Sequence, residues 1–117
     1  MGPQGEAEMS EAEVMEVTDH NFDVEVLESK TPAIIDFWAE WCAPCRAISP
    51  IVKELAAQYG DKVKIVKLNV DENPGVTARY SIRSIPTVLA VKDGAVVGQI
   101  IGARSKSAFE EMIQNLL

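Results

Sequence analysis

The 117-residue sequence predicts an α/β domain in which a mixed five-stranded β-sheet is flanked by four helices. Three observations carry that expectation. Strand-like and helix-like stretches alternate in the order β-α-β-α-β-α-β-β-α, and βαβ units demand right-handed crossovers between parallel neighbours. The run "AIIDFW" at 33–38 is apolar apart from one aspartate, as in a strand buried on both faces. Two later runs, "TVLAV" and "VVGQII", meet across "KDGA", where Asp-Gly signals a hairpin and so an antiparallel edge.

The first 13 residues, "MGPQGEAEMSEAE", lack apolar periodicity and read as a disordered acidic extension, leaving 14–117 as the folded domain. Residues 14–17 form a short strand. Thr18 or Asp19 can cap a first helix that carries Phe22 and Val26 at helical spacing and ends before Pro32. After the strand at 33–38, a helix over 43–59 places Ile48, Ile51, Val52, Leu55 and Tyr59 on one face and stops at Gly60. Pro50 removes one backbone donor inside it, so a kink is expected. Residues 63–70 alternate as a strand with Lys64 and Lys67 on opposite faces, and 74–80 form a short helix. The hairpin strands follow, and Ser105 or Ser107 caps a last helix that turns Phe109, Met112, Ile113 and Leu116 inward.

Composition narrows the function classes. The 47% hydrophobic and 25% charged content is ordinary for a globular protein. No apolar run approaches the roughly 20 residues of a membrane helix. Residues 1–29 hold nine acidic side chains and no Lys or Arg, so the basic start of a secretory signal is missing and the cytoplasm is the expected location. From residue 30 onward nine acids are interleaved with eleven bases, which gives no basic face for nucleic acid. A monomer without nucleic-acid or membrane partners is expected.

Cys42 and Cys45, the only cysteines, lie three apart in "WCAPC". Helical residues i and i+3 have Cβ atoms about 5–6 Å apart, which a modest adjustment brings into disulfide range. The ring they close is small, crosslinks almost nothing, and can open without unfolding the chain. In a reducing compartment such a bond is suited to turnover rather than to stapling. Cys42 opens the helix, where free N–H groups and the macrodipole favour a thiolate. Cys45, one turn further in and expected to be more buried, should keep its proton longer. Pro44 is tolerated in the first turn, and Arg46 adds a cation nearby. A zinc site would need three or four ligands, and beyond the cysteines only His20 and carboxylates remain. A cysteine hydrolase would also have to use His20. Two inert buried thiols would not account for the proline between them and the tryptophan before them.

Asp36 has two readings. It faces water from an edge strand, or it is a buried acid–base group whose raised pKa lets it take a proton from the second thiol or return it. Lys67 on the next strand can reach it and hold the anion, or can lie at the surface. In "SIPT" Pro86 immediately precedes a strand, a common place for a cis peptide, although only about one X-Pro bond in twenty is cis.

Together "DFWAEWCAPCR", Pro50 nine residues after Trp41, "KLNVDENP", "YSIRSIPT", "KDG" and "GARSK" resemble the thioredoxin family, from about residue 14 to the C-terminus. The resemblance implies the thioredoxin fold with "AIIDFW" central. It implies that Cys42 attacks a substrate disulfide, that Cys45 resolves the mixed disulfide, and that Asp36 and Lys67 are a buried proton-handling pair. Pro86 would be cis, turning the Ile85 backbone toward a substrate chain. Trp41, Ile85, Gly102 and Ala103 would form an apolar groove, with Ala43 and Pro44 on the docking surface. No bound cofactor or metal is implied. Electrons would come from NADPH through a flavin-containing thioredoxin reductase and pass to client proteins with disulfides. The alternative is a thioredoxin-like binding subunit whose thiols are not turned over; an oxidase or isomerase of the same fold would normally carry a secretory address. Ala43 stands where the family usually has Gly, Ser84 where many members have Gly, and the acidic lead-in is additional.

Overall fold

The computed structural model describes residues 14–117, and the expected acidic extension lies outside the described residues. Strands β1 (Met15–Glu16), β2 (Ala33–Trp38), β3 (Lys64–Asn69), β4 (Thr87–Lys92) and β5 (Ala95–Ile101) form one sheet in the order β1-β3-β2-β4-β5. β3 runs parallel to both β1 and β2, β4 antiparallel to β2, and β5 antiparallel to β4. "AIIDFW" is thus the central strand, and only its last residue reaches partial exposure. The helices are α1 (Ala43–Tyr59), α2 (Pro74–Arg79) and α3 (Lys106–Gln114).

The period of two in β2 splits the core between the sheet's faces. Ile34, Ile65 and Val88 pack under α1 and α3 through Val52, Leu55, Phe109 and Ile113. Ile35, Phe37, Val66 and Leu89 pack on the opposite face against Phe22, Val26 and Val76. Asp36 shares the parity of Ile34, so it belongs to the α1 side.

The helix expected after β1 is instead a five-residue π-helical segment, Asp23–Leu27. Of the two potential caps Thr18 is used locally, its Oγ1 accepting the N–H groups of His20 at 3.2 Å and Asn21 at 3.3 Å and its carbonyl that of Phe22 at 2.9 Å, while Asp19 is used elsewhere. Thr18 closes a turn with Asn21, whose Oδ1 accepts the Thr18 N–H at 2.7 Å. The Asp19 carboxylate accepts the N–H groups of Gly75 and Val76, each at 2.8 Å. Asp19 therefore caps α2, more than fifty residues along the chain, and not a helix of its own.

The other elements follow the residue pattern closely. α1 runs unbroken through Pro50. It ends at Gly60 in the right-handed region (φ −61°), not in the left-handed cap such glycines often adopt, and a Cβ there would stand 2.4 Å from the Ala56 carbonyl oxygen. The hairpin turn places Asp93 (φ 54°) and Gly94 (φ 80°) in the left-handed region, the geometry for which Asp-Gly is selected. Ser105 is the cap of α3, its hydroxyl accepting the Ala108 N–H at 3.4 Å. Lys64 and Lys67 do lie on opposite faces: Lys64 pairs with Glu25, and Lys67 lies over the Trp38 ring. Among the described residues no helix is long and apolar enough to cross a membrane.

Candidate functional site

The C-terminal end of β2 feeds a tight turn in which the Cys42 N–H donates to the Ala39 carbonyl at 3.2 Å. Cys42 is the N-cap of α1, with extended backbone (φ −93°, ψ 104°), and its Sγ accepts the Cys45 N–H at 3.2 Å. Its sulfur thus takes the place a serine or aspartate oxygen would take, against an amide with no helical partner. Pro44, in the first turn, lacks an N–H that would have been unpaired anyway. Cys42 and Cys45 are joined as a disulfide, their Cα atoms 5.3 Å apart. The two residues are equally hidden, 4% and 3% exposed, so burial does not separate them as expected; position along the helix does.

Asp36 is buried, which settles its orientation. It is 4% exposed, and its Oδ1 has no hydrogen-bond partner among the described residues. Burial pushes its pKa up to about 7, with the charge of Lys67 acting in the opposite direction. Beside it lies a cavity of about 10 Å³, room for about one water, whose lining is otherwise apolar and includes Val52, Leu55, Val88, Phe109 and Ile113. Lys67 is the register partner of Asp36 in β3, but its ammonium forms its ion pair with Glu16, at 3.8 Å, and stands 5.2 Å from the centroid of the Trp38 ring.

Around the disulfide the chain presents an exposed rim. The Trp41 ring is 68% exposed and is held by its Nε1, which donates to Asp71 Oδ2 at 2.8 Å. Glu40, Asn69, Asp71 and Glu72 line an open concavity with it. Ala43, Pro44 and Ala103 are exposed, and Gly102 is half-buried. On the opposite wall the Ile85–Pro86 bond is cis, and the Ile85 carbonyl oxygen lies 3.8 Å from Cys42 Sγ. The Gly102 N–H donates to the Pro86 carbonyl at 2.8 Å, from a left-handed backbone (φ +95°) that suits glycine. Ala39, Cys42 and Cys45 form a small core cluster, with Trp38, Val70 and Ile85 packed against it.

The structure therefore gathers Cys42, Cys45, Trp41, Ile85 and Pro86 around one point and sets Asp36 inside the sheet. His20 lies apart, exposed in the turn before the π-helical segment, and among the described residues no group of three or more His, Cys, Asp or Glu could hold a metal ion. Two residues of the site were missed from sequence. Asp71, which holds Trp41, lies in a stretch rich in acids and amides that gives no local sign of that contact. Thr87 is a polar residue directly after a proline, opening a strand that is apolar from there to Val91, and that was a readable signal.

A family model described as Thioredoxin matches residues 13–115. "Thioredoxin 1" of Synechococcus elongatus is 50% identical over 101 residues, covering 86% of this chain and 94% of the relative. "Thioredoxin" of Rickettsia bellii is 46% identical over 99 residues, covering 85% and 94%. "Thioredoxin M-type, chloroplastic" of Chlamydomonas reinhardtii is 48% identical over 106 residues, covering 91% and 76%.

Proposed function

The chain belongs to the thioredoxin family and is a thiol–disulfide oxidoreductase, and from that premise we propose how its site divides the work of dithiol–disulfide exchange. Cys42 is the nucleophile. In the reduced protein its thiolate is stabilised by the free amides at the start of α1. It attacks one sulfur of a client disulfide, forms a mixed disulfide, and releases the other client sulfur as a thiolate. Cys45 then gives up its proton and attacks Cys42 Sγ. The second client thiolate leaves, and the Cys42–Cys45 disulfide closes. One protein dithiol and one client disulfide become one protein disulfide and one client dithiol.

Asp36 is the proton carrier for the second step, directly or through one water. A carboxyl titrating near neutrality serves that role well, because it both takes and returns a proton at working pH. Lys67 acts on it through its charge. Trp41, Ala43, Pro44, Ile85, Pro86, Gly102 and Ala103 form the docking surface, with the Ile85 backbone aligning the client chain. The protein works as a monomer in the cytoplasm, where thiols are kept reduced. Its disulfide is reopened by a thioredoxin reductase that draws on NADPH through a flavin.

The observation that carries this reading is the cap: Cys42 Sγ sits at the N-terminus of α1, accepts the Cys45 amide, and is bonded to Cys45. Insulin-disulfide reduction tests it. Cys42→Ser should abolish turnover, while Cys45→Ser should accumulate a mixed disulfide with the client. Near-equal turnover by wild type and Cys42→Ser would point instead to a binding subunit with spectator thiols.

A further inference from the structure

Thr87 opens β4 with 3% exposure, one of three buried polar or charged residues among those described. A valine would fill the same space, so the hydroxyl needs its own account. The backbone of Thr87 is already placed in the sheet, opposite Phe37 on one side and Ile101 on the other. The hydroxyl serves the preceding loop: Oγ1 donates to the Ser84 carbonyl at 2.5 Å. Between these two residues stand Ile85 and Pro86, and proline has no N–H with which to tie the loop itself. The Thr87 hydroxyl supplies a donor there, and the Gly102 N–H fixes the far side through the Pro86 carbonyl. The loop is thus pinned at both ends, with the Ile85 carbonyl facing Cys42.

We propose that Thr87 is a positioning residue for the exchange reaction, its hydroxyl holding the Ile85 backbone in register with a client chain arriving at Cys42. This rests on the reading of Ile85 as the docking segment. It separates two kinds of substrate. A polypeptide disulfide uses the Ile85 backbone, whereas a small aromatic disulfide such as 5,5′-dithiobis(2-nitrobenzoate) has no main chain to align.

The test compares three substrates of the reduced protein: a peptide disulfide, the same peptide N-methylated beside its cysteine, and the aromatic disulfide. In wild type, N-methylation should lower kcat/KM. Thr87→Val should lower kcat/KM for the unmethylated peptide by about three- to tenfold, mainly through KM, the scale of one hydrogen bond. Its effect on the methylated peptide and the aromatic disulfide should be much smaller, and Thr87→Ser should restore the peptide rate. Thr87→Ala provides a second deletion if the valine variant does not fold. No loss on the peptide, or the same loss on all three substrates, would overturn the role of Thr87 alone. If N-methylation costs wild type nothing, the docking role of Ile85 falls and the Thr87 inference falls with it.

Discussion

Two aspartates, Asp36 and Asp71, occupy opposite environments. Asp36 sits in the middle of β2, 4% exposed, with one carboxyl oxygen unpartnered among the described residues. Asp71 is exposed on the rim and spends its carboxylate on the Trp41 indole. The first is costly to the fold, and desolvation lifts its titration to about 7, where a carboxyl can exchange a proton at neutral pH. The second costs little and works through geometry. Side-chain chemistry is the same in both; burial decides whether the carboxyl is held near neutrality or spends itself on an exposed hydrogen bond.

The largest effect that tests this contrast is on stability. The folded-state pKa of Asp36 lies above the ordinary aspartate value of 3.8, so between about pH 4 and pH 7 the native chain keeps a proton the unfolded chain has lost. Stability should therefore be highest on the acid side of that window, fall as pH rises through it, and level off above about 7. The whole span is worth on the order of 4 kcal/mol. Asp36→Ala should remove that slope and, after a small cavity cost, raise the unfolding free energy at pH 8 by about 2–3 kcal/mol. It should also slow release from the mixed disulfide and flatten that step's pH dependence near neutrality. Urea unfolding at pH 5 and pH 8, with single-turnover kinetics, measures both. Equal stability of wild type and variant at both pH values would remove the difference between the two aspartates.

The rim should respond more weakly. Asp71→Ala breaks one exposed hydrogen bond, so it should cost less than about 1 kcal/mol of stability. It frees the Trp41 ring, and the protein-disulfide kcat/KM should fall severalfold with a change in tryptophan fluorescence. A stability loss as large as the Asp36 effect would mean that the rim is part of the core after all.

The same contrast marks how far the sequence could be read. Buried strands and α1 declare themselves through continuous apolar runs and a 3.6-residue stripe, and β2 and α1 have the bounds their residues predict. The site's covalent heart is equally local, because Cys42, Pro44 and Cys45 lie within four consecutive positions of one helix start. What escaped is long-range. Asp19 looks like the cap of its own helix, and only the fold shows it capping α2. Lys67 does act on Asp36 through its charge from the adjacent strand, but the pairing of its ammonium with Glu16 beside the Trp38 ring left no sign in the sequence. A hydrogen bond between Trp41 and Asp71, thirty residues apart, leaves no periodic trace.

Ala43 supplies the smallest effect, and it bears on the rim alone. The residue is exposed at the first position of α1, directly after the capping cysteine. The Trp41–Asp71 bond and the Cys42 cap are made without its side chain, so its expected contribution to the fold is backbone propensity. Glycine in a helix interior costs roughly 1 kcal/mol relative to alanine, and less in the first turn, where fewer hydrogen bonds depend on the residue. Ala43→Gly should therefore lower stability by about 0.5 kcal/mol and leave the pH slope assigned to Asp36 unchanged. Reduction of a small aromatic disulfide should stay within about twofold, since the cap that stabilises the Cys42 sulfur is made by the Cys45 amide and not by residue 43. A larger shift in the thiol's alkylation rate would show that the methyl shields the sulfur from water, and would move Ala43 from the docking rim into the chemistry.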